Sequence, residues 1–240
     1  MDLNVLTFGS GPRRALLLHG ISSNAAGWWR VGPAIAELGY HVTAPDLRGH
    51  GASAPGKSYR FSDHAGDLAS LGTGWDLVLG HSMGGTIALL LATPEFCDRL
   101  ILSDPALLVP STPESLIWLT QAYDPPITAE AVANKNPRWH PEDARIKAEV
   151  LLQSSREMAE QTYADNPEWN VMAEIVDLQV KTLLITGDPA AGGLIPSQLG
   201  ASLAHQVPAL DHVVVPNGSH SLHRDEFDAF MAGIRRWLAS

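Results

Sequence analysis

Gly80-His81-Ser82-Met83-Gly84-Gly85 separates the apolar stretch Trp75–Leu79 from the apolar stretch Thr86–Ala92. Read together, the three pieces are a strand, a sharp turn and a helix. A serine between glycines at such a turn is placed for nucleophilic attack. Its backbone is strained, and its neighbours leave little room for a β-carbon. The helix that follows aims free backbone N–H groups at the place where negative charge develops in acyl transfer.

Working outward, short apolar runs alternate with longer segments of helical character. Ala15–Leu18, Val42–Ala44, Leu77–Leu79, Leu100–Leu102, Leu183–Ile185 and Val213–Val215 read as buried strands. Helices are expected near Gly32–Leu38, Ser62–Leu71, Met83–Ala92 and Pro196–Ala204, with a last one from Asp225 to Leu238. The alternation implies an α/β fold, a mostly parallel central sheet with helices on both faces. Active groups should gather at the carboxyl ends of its strands. Between Ala106 and Asp177 no strand candidate appears, and the stretch is rich in proline. It reads as a helical lid, residues 106–177, inserted over the strand ends within a single domain spanning residues 1–240.

A serine hydroxyl needs a base to take its proton as it attacks. His220 closes the turn Pro216-Asn217-Gly218-Ser219-His220 after the last strand candidate, on the same sheet edge as Ser82. His223 competes, but it is expected to start the final helix and to point elsewhere. The His220/His223 spacing lacks a third ligand nearby, so no metal is expected. The base in turn needs a carboxylate to hold its tautomer. Asp104 and Asp188 both follow apolar strands at the correct edge, and either could serve. The Met83 N–H supplies one oxyanion donor. The second is expected from the loop His19-Gly20-Ile21-Ser22-Ser23, at Ile21 with Ser22 as the alternative, and His19 braces the loop. Trp28, Trp118, Trp139 and Trp169 are candidates to line an apolar acyl pocket.

Together these motifs resemble the α/β-hydrolase superfamily over nearly the whole chain. The resemblance is carried by His19-Gly20 after the first core strand, Asp46-Leu47-Arg48-Gly49-His50-Gly51-Ala52-Ser53 after the next, Gly80–Gly84, a helical lid, and Gly218-Ser219-His220. It implies Ser82 as nucleophile, His220 as base, and Ile21 and Met83 as oxyanion donors. Most members carry the acid three residues past the glycine after the penultimate strand, which here is Ala190, so Asp188 is out of register. A minority, including zearalenone-type lactone hydrolases and haloalkane dehalogenases, place it where Asp104 stands. Asp104 is therefore favoured, with Asp188 as the alternative acid. The dehalogenase and epoxide hydrolase branches use an aspartate nucleophile, and Ser82 argues against both.

Composition removes other classes. The 240 residues carry a net charge of −10, which argues against a nucleic-acid or anionic-membrane surface. One cysteine, Cys97, permits no intramolecular disulfide and fits a cytoplasmic setting. The first residues show no basic region followed by an apolar one, so no signal peptide is expected. Gly51-Ala-Ser-Ala-Pro-Gly56-Lys57-Ser58 matches the phosphate-loop pattern, but a strand should lead directly into it and a helix should begin at the lysine. The expectation is a cofactor-independent serine hydrolase, monomeric or homodimeric, acting on a small ester or lactone through an acyl-enzyme. A ligand receptor on the same fold, a nucleotide hydrolase, and amide or C–C bond hydrolysis are the alternatives.

Overall fold

Each of the six apolar runs corresponds to a strand of one seven-stranded sheet in a computed structural model, which describes residues 1–240. The chain opens with β1 (Val5–Phe8), β2 (Arg13–Leu18), α1 (Val31–Ala36), β3 (Tyr40–Pro45) and α2 (Phe61–Ala69). The central strands are β4 (Leu77–His81) and β5 (Arg99–Ser103), joined by α3 (Met83–Leu91). Five helices follow: α4 (Pro113–Thr120), α5 (Ala129–Lys135), α6 (Pro141–Gln153), α7 (Arg156–Asp165) and α8 (Met172–Val176). The chain then returns through β6 (Lys181–Thr186), α9 (Ser197–Gln206), β7 (Leu210–Val214), α10 (Leu222–Asp225) and α11 (Phe227–Leu238).

The strand order is β1-β3-β2-β4-β5-β6-β7, and only the β1–β3 pair is antiparallel. The inner strands read as unbroken apolar runs because both faces are covered. Leu16, Val78, Leu100 and Leu184 enter one core, while Leu17, Leu79, Ile101 and Leu183 enter the other. On the second face α11 buries Phe230, Met231, Ile234 and Trp237, a three-and-four spacing that makes one apolar stripe.

β1 was not among the expected strands. It is a short edge strand, half-exposed, with too little alternation to stand out. The last helix is also preceded by a short separate turn of helix, α10, which carries His223 and Arg224.

Register sets the site. Leu18 pairs with Gly80, Gly80 with Leu102, His81 with Ser103, and Ser103 with Ile185. The carboxyl ends of β2, β4, β5 and β6 therefore lie side by side. The chain winds outward in opposite directions from β2 and β4, so the crevice between their ends is the switch point where α/β sheets place ligands. Between β5 and β6, helix starts are locally encoded. The hydroxyls of Thr128 and Ser155 accept from Ala131 N–H and Met158 N–H, both at 3.1 Å, and prolines occupy the first helical positions of α4 and α6. No helix is long and apolar enough to cross a membrane.

Candidate active site

Ser82 is the hinge between β4 and α3, with φ 53° and ψ −121°. Such a backbone costs on the order of 1–3 kcal/mol and persists only where the surroundings over-determine it. Here they do: Ser82 N–H donates to Ser103 O at 3.1 Å. Its carbonyl accepts from Gly85, Thr86 and Ala106 N–H at 2.9, 3.1 and 3.2 Å. A β-carbon on Gly84 would lie 2.3 Å from Leu18 O, so α3 can approach β2 only with glycine there.

The Ser82 hydroxyl donates to His220 Nε2 at 3.0 Å, and His220 Nδ1–H donates to Asp104 Oδ2 at 2.7 Å. Asp104 is fully buried and sits in the left-handed region at φ 40°. Its Oδ2 also accepts from Leu194 N–H at 2.9 Å, and its Oδ1 from Gly187 N–H at 3.3 Å. Two backbone donors thus hold the carboxylate while it faces the imidazole. This arrangement can accept the serine proton on His220 and balance the imidazolium that results.

Asp188 is not in this relay. Its carboxylate accepts from Ala190 N–H at 2.9 Å, capping a short 3-10 turn, while its own N–H donates to Gly218 O at 2.7 Å. The aspartate that caps a turn and the aspartate that faces the histidine are thus different residues at neighbouring strand ends.

The loop after β2 runs against the serine. A β-carbon on Gly20 would lie 2.9 Å from Ser82 Cβ, so glycine lets the loop pass. Ile21 N–H donates to no backbone acceptor. Met83 opens α3, where the first N–H groups lack partners within the helix. His19 stands behind the loop. Its Nδ1–H donates to Gly20 O at 2.8 Å and its Nε2 accepts from Leu47 N–H at 2.9 Å. Burial pushes its pKa down to about 4, so it stays neutral and spans the two loops.

Ser82 and His220 open into a cavity of about 390 Å³ walled by Ile21, Trp118, Trp139, Lys147 and Arg224. The other two candidate tryptophans lie elsewhere. Trp28 is 2% exposed and packs in the core under α11, its ring 5.3 Å from that of His223. Trp169 fills the opposite core, where its indole N–H donates to Ala106 O at 2.8 Å. Only Trp118 and Trp139 face the cavity, because the former pair is consumed in covering the sheet.

Three residues not singled out from the sequence also stand here. His81 Nε2–H donates to His220 O at 2.8 Å, and the two rings stack at 4.8 Å, which fixes the loop carrying His220. Burial holds His81 well below the usual histidine range, so it remains neutral. Lys147 Nζ donates to Ser22 O at 2.5 Å and Ser22 Oγ at 2.7 Å. Arg224 lies over Trp139, 4.6 Å from the ring centroid. His223 is buried against His81, with centroids 4.7 Å apart, and does not reach the serine hydroxyl, whose histidine partner is His220. The phosphate-loop match at Gly51–Ser58 lies in an irregular segment. β3 ends at Pro45 and α2 begins at Phe61, so neither the strand nor the helix meets the motif.

The profile of the alpha/beta hydrolase family matches residues 15–232. Among curated proteins the chain is similar to the lipase LipV of Mycobacterium tuberculosis, 37% identical over 113 residues. That stretch covers 44% of this chain and 42% of the lipase, so less than half of the lipase is matched. It is also similar to the pimeloyl-acyl-carrier-protein methyl ester esterase of Pectobacterium carotovorum, 28% identical over 243 residues and 93% of each protein. The solved esterase of Exiguobacterium antarcticum shares the fold, with a TM-score of 0.80 at 20% identity over 99% of this chain and 96% of that one.

Proposed function

The chain belongs to the alpha/beta hydrolase family, and we propose that it is a hydrolase that cleaves a small carboxylic ester or lactone through an acyl-enzyme on Ser82. The observation that carries this reading is the hydrogen-bonded series from Ser82 Oγ through His220 to Asp104, 3.0 Å and 2.7 Å, opening on a cavity.

Ser82 Oγ attacks the carbonyl carbon as its proton passes to His220 Nε2. The negative charge that forms on the carbonyl oxygen is held by the N–H groups of Ile21 and Met83, each such donor being worth about 3 kcal/mol in the transition state. His220 returns the proton to the leaving alcohol oxygen, and the C–O bond breaks. A water then gives its proton to His220 and attacks the acyl carbon; the bond to Ser82 Oγ breaks, His220 returns the proton to that oxygen, and the acid leaves. Asp104 keeps the Nδ1–H tautomer and offsets the imidazolium charge at both stages. The steps use the side chains of Ser82, His220 and Asp104, the two backbone N–H groups and water.

The helices between β5 and β6, residues 106–177, serve as a lid. They supply Trp118, Trp139 and Lys147 to the cavity wall. Relatives described as a lipase and as a methyl ester esterase support the ester class. The setting we assign is cytoplasmic, in keeping with a single buried cysteine, Cys97. The deciding measurement is turnover of short p-nitrophenyl esters by wild type and Ser82→Ala, with phenylmethylsulfonyl fluoride labelling of the same two proteins. Ester turnover that survives the substitution, or label appearing elsewhere than Ser82, would end the reading.

A further inference from the structure

The cavity beside Ser82 carries two cationic side chains that the acyl-enzyme chemistry does not use. Arg224, on α10, is 6% exposed and lines the cavity. Its Nη2 donates weakly to Ser23 Oγ at 3.4 Å, and its Nε has no acceptor. Lys147, on α6, lies in the same wall, with two of its three N–H donors taken by Ser22. Two acids lie near Arg224, but neither lines the cavity, and Asp143 Oδ2 has no hydrogen-bond partner. Asp143 Oδ1 accepts from Trp29 Nε1–H at 2.9 Å and is 3.9 Å from Arg224 Nε. Asp225 accepts from Trp139 Nε1–H and Ser219 N–H, both at 2.7 Å. Among the residues that line the cavity, Lys135, Lys147 and Arg224 stand against a single acid, Asp124, which pairs with Arg156, so the lining is net positive in a chain whose overall charge is −10.

Such a pair is unfavourable alone. Burial, reinforced by the charge on Arg224, pushes the Lys147 pKa down to about 7. An anion set against both groups would relieve the repulsion and restore the ammonium. A carboxylate suits the donors, since it can accept from the third Lys147 N–H and from the guanidinium edge at once. The indole of Trp139 under the guanidinium fixes its plane.

We propose that Lys147 and Arg224 form an anion subsite, so that the preferred substrates are small esters carrying a second, free carboxylate. This rests on the ester hydrolase reading for its chemistry, though binding at the subsite does not require turnover.

The test has two arms. In the first, kcat/KM is measured for monoethyl succinate, glutarate and adipate. Each is compared with the ethyl ester of the methyl-terminated acid of equal length, and ethyl acetate is compared with acetoxyacetate for a carboxylate on the alcohol side. Charge-assisted bonds from two cations should favour at least one carboxylated ester by about tenfold or more. Lys147→Met and Arg224→Gln should each lower that ratio towards one, whereas Lys147→Arg should keep most of it. In the second arm, glutarate binding to Ser82→Ala is measured by calorimetry, with and without Lys147→Met. Saturable binding weakened about tenfold by the lysine change is expected. Ser82-dependent turnover of neutral esters without preference for any carboxylated ester, and no glutarate binding, would overturn the subsite while leaving the hydrolase reading intact. Glutarate binding without any ester turnover would keep the subsite and remove the hydrolase reading.

Discussion

Replacing Asp104 with asparagine separates the charge of this carboxylate from its shape. In the native protein both oxygens accept: Oδ2 from His220 Nδ1–H and Leu194 N–H, Oδ1 from Gly187 N–H. An asparagine offers one acceptor oxygen and one NH₂ donor. With the NH₂ in the place of Oδ2, it would oppose Leu194 N–H at 2.9 Å and force His220 into the tautomer that cannot take the serine proton. With the NH₂ in the place of Oδ1, only the longer bond from Gly187, 3.3 Å, is lost, and His220 keeps its native tautomer. The second orientation is preferred because it gives up the weaker bond.

The variant should therefore fold with a loss of about 1 kcal/mol, the worth of one ordinary hydrogen bond. What it cannot do is offset the imidazolium. At an effective dielectric constant of about 20, two opposite charges about 4 Å apart attract by roughly 4 kcal/mol. Removing that attraction should lower kcat about a thousandfold, with KM within a few-fold of wild type, since the charge arises only during reaction. The assay is steady-state hydrolysis of p-nitrophenyl butyrate, alongside a thermal melt. Asp188→Asn, which touches only the cap on Ala190 N–H, should stay within about tenfold of wild type. Retention of more than a tenth of the wild-type kcat by Asp104→Asn would refute the reasoning, as would an equal loss in Asp188→Asn.

Three further outcomes follow from buried charge and polarity. His50 and His64 have pKa values pushed down to about 3 by burial, and His19 to about 4, against about 6.5 unfolded. The unfolded chain therefore binds protons that the native one refuses, so stability is full above pH 6.5 and declines as pH falls towards 4. The decline is about 1.4 kcal/mol per pH unit for each histidine, and urea midpoints unchanged between pH 7 and pH 5.5 would contradict it. Asp46 accepts from Ala25 N–H, Ala52 N–H and Asn4 Nδ2 at 2.7, 2.9 and 2.8 Å, tying three loops together. Asp46→Ala should cost about 3 kcal/mol or more by leaving those donors unmet, read as a lowered melting temperature, and a melt within a degree of wild type would disprove the tie. Finally, preference for carboxylated esters should shrink as pH rises past about 7, where Lys147 loses its proton. Lys135, Arg224, His81, His220 and Asp124 share its cavity, and Asp143 lies one turn back on α6. The selectivity ratio isolates the lysine because His220 acts on both kinds of ester, so a ratio flat from pH 6 to 9 would count against it.

The parts of this fold that were legible in the sequence are those where one physical demand acts alone. Strands buried on both faces must be apolar throughout, so Leu16–Leu18, Leu77–Leu79 and Leu100–Leu102 announced themselves. The serine turn did so because Gly84 has no room for a side chain. β1, half-exposed at the edge, answers to no single demand and left no pattern. The tryptophans show the same limit: a large ring wanted by a core and one wanted by a cavity look alike, and Trp28 and Trp169 went to the core.

The acid was narrowed to two aspartates, with Asp104 favoured by the resemblance, and the cations were not singled out, since their partners are brought together only by the sheet register and by the placing of α6 against the loop after β2. Ser103 pairs with Ile185, so Asp104 and Asp188 leave adjacent strands at nearly the same height. Only the chain path afterwards, with Leu194 and Gly187 turning their N–H groups on Asp104, decides which faces His220. A usable signal did exist for Lys147. On α6 the buried residues Ala144, Ala148 and Leu151 define the inward stripe, and Asp143 and Lys147, four apart, border it. A charged pair is costly on an inward stripe unless each member has a partner there. Asp143 finds Trp29, and Lys147 finds Ser22 beside the serine hydroxyl's own cavity. A lysine kept at that cost, with its third donor unassigned, is better explained by an anion in the cavity than by packing. Packing alone would be served as well by methionine, and that equivalence is what Lys147→Met puts to the test.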